Sequence, residues 1–166
     1  MPRAERPAMA EYGVPADAEG ALAWSWAEVR LTASRNFWLA TASAAGRPHA
    51  MPVWGVWLTD PDRFVFSCAP SSRKAANLRA NPRAVVAADD TVECVSVEGR
   101  AREVSLRPDG PEAQAYAHKY EPAEAKRAEL AAFMASHAAF ELLPERAFGI
   151  IEREDEFASR ATRWVW

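Results

Sequence analysis

Three β-type runs follow one another over residues 37–68 with only tight polar turns between them. FWLATAS comes first, then the turn AAGR, then RPHAMPVWGVWL, a long extended stretch holding Pro52 and Gly55, and after DPD the short strand RFVFSC. Turns this short leave no room for a crossover helix, so the three segments are expected to pair as an antiparallel meander. PSSRKAANLRANP then breaks the β pattern. Ser71 or Ser72 can cap a helix there, Ala75 and Leu78 form its apolar stripe, and Pro82 stops it. Two further strands, RAVVAAD and VECVSVEGRAREVS, are expected around an acidic turn at Asp89 and Asp90. Residues 110–136 read as helices divided at Pro122, with Leu130, Phe133 and Met134 on one face, and β-like runs around AAFELL, RAFGII and TRWVW close the chain. Consecutive strands with short helices inserted predict a mainly β (α+β) fold, an antiparallel barrel decorated with helices.

The remaining segments set the boundaries. Residues 1–19 are poor in large apolar groups and interrupted by Pro2, Pro7 and Pro15, which predicts a flexible tail ahead of one domain over 20–166. From Ala21, Leu22, Trp26 and Val29, with Trp24, fall at helical spacing and predict an amphipathic helix to about Ala33. A chain of 166 residues suffices for one well-cored domain. Its net charge of −3 gives no global pull towards nucleic acid or an anionic membrane. Cys68 and Cys94 lie in separate strand-like runs without CxxC spacing, so two free thiols in a reducing compartment are expected. No apolar run approaches the ~20 residues needed to cross a bilayer, and the first residues lack the apolar core of a signal peptide. The expected address is cytoplasmic.

The stretch richest in chemistry is Ser71-Ser72-Arg73-Lys74, followed by Asn77. It opens a helix directly after a strand, where unpaired N–H groups and roughly half a positive charge are exposed. Hydroxyls, amides and two cations gathered there would cradle a phosphate; alternatively, Ser72 only caps the helix and both cations are solvated. In the second stretch, Gly46-Arg47-Pro48-His49 and then Met51-Pro52-Val53-Trp54-Gly55-Val56-Trp57, Pro52 cannot donate to a ladder, so the strand must bend or lie at an edge. The backbone groups so exposed could pair with the edge of a planar heterocycle, or the segment is an edge strand with aromatic packing. His49 reads as a surface or packed residue, no histidine pair has metal-ligand spacing, and no metal site is expected. The seven tryptophans are expected mostly in the core or a dimer interface, with one or two free to stack on a bound ring. No catalytic triad, P-loop or Rossmann fingerprint is present.

The order FWLATASAAGRPHAMPVWGVWL, RFVFSC, SSRKAANLRANPRAVV, VSVEGRAREV, RAFGI and TRWVW resembles the pyridoxamine 5′-phosphate oxidase-like, flavin-binding split β-barrel superfamily over residues 22–166. Within it, GRPHAMPVWGVW and the closing TRW are most similar to the actinobacterial group that uses the deazaflavin coenzyme F-420. The resemblance implies a Greek-key split barrel of about six antiparallel strands, a homodimer, and cofactor at the subunit interface. It also implies that Ser72, Arg73 and Lys74 hold the cofactor phosphate with Asn77 in support. Pro52, Val53 and Trp54 would border the ring, and Thr162, Arg163 and Trp164 would pack near the cofactor. HAMPVWGV and TRWVW stand where pyridoxamine phosphate oxidases resemble one another in an Arg-x-x-Leu run and an Arg-Leu motif, which points away from pyridoxal phosphate formation.

The expected function is therefore an oxidoreductase passing a hydride from reduced F-420 to a small planar organic substrate, with Trp54 or Trp57 as a wall. The protein's task in such chemistry is to position the cofactor and exclude water, which suits a chain without an evident acid–base centre. The alternatives are an FMN-dependent oxidase or reductase on the same cradle, and a non-catalytic cofactor- or haem-binding protein using His49, His118 or His137.

Overall fold

The computed structural model describes residues 1–166. In chain order its elements are β1 (Arg3–Glu5), a 3-10 turn (Ala10–Tyr12), α1 (Trp24–Ala33), β2 (Phe37–Ala42), β3 (Pro48–Val53), β4 (Val56–Thr59), β5 (Asp62–Cys68), α2 (Arg73–Ala80), β6 (Arg83–Ala88), β7 (Glu93–Val104), α3 (Pro111–Tyr120), α4 (Glu124–Ser136), β8 (Ala138–Ile151), α5 (Phe157–Arg160) and β9 (Thr162–Val165).

Every ladder is antiparallel. The expected meander is present, but its long middle stretch is two strands, because the chain bends at Trp54-Gly55 between β3 and β4. A Cβ at Gly55 would lie 2.2 Å from Cζ of Phe64, so only glycine lets the backbone pass this close to the core. From β5, α2 carries the chain back so that β6 lies beside β2. The spatial order β6, β2, β3–β4, β5 is a Greek key. Pairing of β7 with β6 and of β8 with both β7 and β5 completes the ring.

Strand β8 is where the barrel splits. Ala138–Leu142 pair with β5, whereas Arg146–Gly149 pair with β9. Between the halves, Pro144 stands opposite Gly99, beside the register shift at Glu98/Gly99. Proline supplies no ladder N–H and is accommodated at such a bulge, so the expected runs AAFELL and RAFGII are one bent strand. The fold is thus a mainly β, antiparallel split barrel with short helices. Phe37, Leu39, Phe64, Phe66, Val86 and Phe140 fill its centre with Trp24, Trp57 and Trp164. A second cluster, Val56, Val65, Tyr116, Tyr120 and Met134 among others, seats the α3–α4 pair against β4 and β5.

Three expectations are corrected. Residues 1–19 are not a loose tail: β1 pairs with β9, and Val14 is buried. Buried Arg6 donates to the carbonyls of Asp17, Ala161 and Ser159 at 2.8, 2.8 and 2.9 Å, and to that of Glu19. The segment is held chiefly by the β1–β9 ladder and by the Arg6 side chain on backbone carbonyls, with little apolar burial, which is why its composition reads as a tail. Helix α1 buries Trp24, Ala27 and Leu31; of the expected stripe Leu22 and Trp24 are buried and Trp26 packs partly buried against the core, but Val29 is 63% exposed. Helix α4 packs through Ala131 and Met134, which turns Phe133 outward. Cys68 and Cys94 are free, and no helix is long and apolar enough to cross a membrane.

Candidate cofactor-binding site

Helix α2 starts where β5 ends and packs on β2, and a buried polar pair fixes its seat. Asn77 lies on its inner side and donates from Nδ2 to Thr41 Oγ1 at 3.0 Å. Ser72 is the N-cap, its Oγ accepting from the Ala75 amide at 3.3 Å. The amides of Arg73 and Lys74, earlier in the first turn, have no intrahelical partner. The β2–β3 turn comes up against this helix end. In it, Gly46 adopts φ +77°, a left-handed conformation suited to glycine, and brings Arg47 and His49 towards α2.

A cleft of about 330 Å³ results, lined by Ser43, Ala45, Arg47, Pro48, His49, Arg73 and Asn77. No carboxylate lines it, and neither Arg47 nor Arg73 forms an ion pair elsewhere in the chain. Nδ1 of His49 is buried without a hydrogen-bond partner. Two unneutralised guanidinium groups, a buried amide, an imidazole and a helix N-terminus make a donor set for a phosphate. The residues present therefore fit the phosphate end of a flavin-type cofactor.

Strand β3 leads from this cleft to the bend. Three residues, a rise of ~10 Å, separate His49 from Pro52. Because β3 is the end strand on its side of β2, Pro52 costs no ladder bond. Val53 turns inward and is buried, while Trp54 is 45% exposed. Trp54 stacks on Tyr120 with ring centroids 4.7 Å apart and planes 2° from parallel. The Tyr120 hydroxyl accepts from the Gly55 amide at 2.9 Å and donates to the Arg35 carbonyl at 2.6 Å. Lys119 Nζ donates to the Gly55 carbonyl at 3.1 Å. Burial pulls the Lys119 amine down to about 8, assisted by the nearby Arg35 charge and opposed by Asp89. Burial likewise raises the Tyr120 phenol, and pushes that of Tyr116 to about 12.

Of the residues expected from sequence, Arg73 and Asn77 line the cleft, with Ser72 capping the helix at its edge. Lys74 is half-buried and does not line it. Pro52, Val53 and Trp54 form the far end of β3 and the bend. Arg163 and Trp164 are not brought to the site. They lie on β9, with β8, β7, β6 and β2 between them and β3. Arg163 pairs with Glu5 at 2.7 Å, and Trp164 is wholly buried in the core. Trp57 is also a core residue, which leaves Trp54 as the exposed wall of the pair. Arg35, Lys119 and Tyr120 were not singled out by the sequence, and Arg47 stood in the Gly46–His49 run without a part in the phosphate cradle. For Arg47 the signal was present: a five-residue turn ending in Gly-Arg, joining two strands of which one carries the helix-contacting Thr41. For the others, no local pattern links residue 35 or 120 to the bend.

A family model described as pyridoxamine 5′-phosphate oxidase matches residues 26–149. No curated protein sequence matches the chain. Among solved structures, a conserved hypothetical protein from Mycobacterium tuberculosis is similar at a TM-score of 0.60 and 21% identity, over 79% of this chain and 86% of that one. An F420 reductase is similar at a TM-score of 0.54 and 21% identity, over 72% and 94%. An FAD-binding protein from Mesorhizobium loti is similar at 0.52 and 21%, over 87% and 96%. At these identities the likeness is one of fold.

Proposed function

The chain belongs to the pyridoxamine 5′-phosphate oxidase family, and from that premise we propose that it is a flavin-type oxidoreductase, taking its hydride from reduced coenzyme F-420 for a small planar organic substrate. The observation that carries a phosphorylated cofactor is the carboxylate-free cleft with Arg47 and Arg73 both unpaired. When bound, the cofactor supplies the hydride, and the chain's own residues hold and shield it. Arg73, Arg47 and the first-turn amides of α2 would take the phosphate, with Asn77 fixed behind them by Thr41. The free edge of β3 and the bend at Val53-Trp54-Gly55 would border the ring.

The likeness of GRPHAMPVWGVW to the deazaflavin-using group supports F-420 over FMN, and the F420 reductase shares the fold. FMN is the second reading, favoured by the family itself, because the cleft offers the same donors to either phosphate. A homodimer with cofactor at the interface forms part of the proposal. It is supported by the small and apolar outward face of β3, β2 and β6, where Trp38, 51% exposed, stands between Pro52 and Ala87. Two unpaired cysteines suit a cytoplasmic location.

The deciding experiment is a parallel equilibrium titration of cofactor-free protein with F-420 and with FMN, following tryptophan quenching. Preference for F-420 is the expected result, and preference for FMN moves the protein to the second reading. Binding of neither overturns the cradle. Arg73→Ala should remove a charge-assisted contact of ~1.5–3 kcal/mol, weakening the bound cofactor roughly 10- to 150-fold.

A further inference from the structure

The bend at Trp54 carries more positive charge than its hydrogen bonds use. Trp54 has one ring face covered by Tyr120 and is 45% exposed, so its other face is open. The Arg35 guanidinium carbon lies 5.6 Å from the Trp54 centroid and 5.6 Å from that of Tyr120. Equal distances to two parallel rings place it beside the stack, at its edge, rather than over either face. Arg35 is exposed and pairs with no carboxylate. Asp89, the acid whose charge acts on Lys119, is engaged by the Ser34 hydroxyl at 2.7 Å. Lys119 stands behind the bend, its amine on the Gly55 carbonyl and 4.7 Å from the Phe37 centroid. The Arg35 main chain is itself anchored, its carbonyl accepting from Tyr120. A rigid indole face with an unpaired guanidinium at its rim therefore faces outward from a fixed piece of backbone.

We propose that the open face of Trp54 and the guanidinium of Arg35 form a subsite for a planar aromatic carboxylate, a substrate class that rests on the flavin-type reading of the cleft. The ring of such a molecule stacks on the indole. Its carboxylate, in the ring plane, reaches sideways to the guanidinium, whose planar fork matches a carboxylate in two parallel hydrogen bonds. Arg35 is then the residue that selects acids over neutral rings, and Trp54 the residue that selects flat over bulky ones. Lys119 and Tyr120 are positioning residues that hold the bend.

The test uses 2-naphthoate and its neutral counterpart 2-naphthamide, titrated calorimetrically into the protein, with and without whichever of F-420 or FMN it binds. The acid is expected to bind about five-fold or more tightly than the amide. Arg35→Gln should bring that ratio close to one, Arg35→Lys should keep part of it, and Trp54→Leu should weaken both ligands together. Equal affinities in the unmodified protein, or a ratio that survives Arg35→Gln, overturn the subsite. A ratio lost in Arg73→Ala but kept in Arg35→Gln also overturns it, because the acid is then sitting in the phosphate cleft. If neither cofactor binds but the naphthoate preference holds and follows Arg35, the flavin-type reading falls and the subsite stands. If a cofactor binds and no preference exists, the subsite falls alone.

Discussion

Two aromatic clusters, one of three core tryptophans and one of Trp54 with Tyr120 at the β3–β4 bend, are built on opposite terms. In the first, Trp24 meets Trp57 and Trp164 edge-on at 5.9 and 5.4 Å, and all three rings are buried. The indole N–H groups of Trp57 and Trp164 are buried without acceptors, a polar loss the core tolerates because so much ring surface leaves water. In the second, Trp54 stays at the surface while the polar atoms behind it are satisfied, the Gly55 amide and carbonyl both bonded and the Tyr120 hydroxyl both accepting and donating. The first group gains stability from packing and forgoes its hydrogen bonds. The second is fixed by hydrogen bonds and leaves an aromatic face unused by the fold. An aromatic surface held this firmly and left uncovered is what a stacking ligand needs.

The contrast breaks most visibly if a residue of the first group is removed. Trp164→Ala should cost ~3–5 kcal/mol of unfolding free energy, because the ring is fully buried and the split half of β8 packs directly on it. Trp54→Ala should stay within ~1 kcal/mol of the parent protein, as expected of a half-exposed ring outside the core. Urea denaturation of both variants measures the difference. Comparable losses would mean that Trp54 is a core residue in all but exposure.

A smaller effect sharpens the second half of the comparison. Tyr120→Phe keeps the ring that stacks on Trp54 but leaves the buried Gly55 amide without its acceptor, an expected loss of ~1–3 kcal/mol. The same substitution should loosen the bend, read as faster exchange of the Gly55 amide hydrogen. Unchanged exchange would show that Lys119 and packing hold the bend without the phenol.

The sequence carried the barrel and the α2 end of the site clearly, and the bend poorly. The short turns from β2 to β5 and the Ser-capped, proline-ended helix leave few alternatives, and Asn77 and Arg73 of that helix both line the cleft. Arg35, Lys119 and Tyr120 meet only because α3, inserted between β7 and β8, folds back over β4, a contact between residues 64 and 85 positions apart that no local periodicity encodes. Trp164 misled for the opposite reason: a family motif at a chain end says which residues recur, whereas the pairing of β9 with β8 turns that ring into the core. Arg6 could not be foreseen either, since its partners are backbone carbonyls of residues 17, 19, 159 and 161.

The smallest effect is a slope in pH. Burial depresses the Lys119 amine from 10.5 to about 8, so between these values the folded chain has released a proton that the unfolded chain still holds. Stability rises with pH wherever the unfolded state binds more protons. The penalty of a buried ammonium is therefore fully present below about pH 8 and is relieved as pH climbs above it. Tyr116 limits the window. Its phenol is pushed from 10.0 to about 12, so above pH 10 the unfolded chain ionises first and the slope reverses. Stability is thus expected to climb from about pH 8 to a shallow maximum near pH 10, followed by urea midpoints at closely spaced pH values. Lys119→Met should flatten the rise below the maximum and leave the fall above it intact. A rise that persists in this variant would assign the proton release to another group and leave Lys119 charged at the bend, where it would oppose Arg35 in the free protein and reinforce it once an acid is bound.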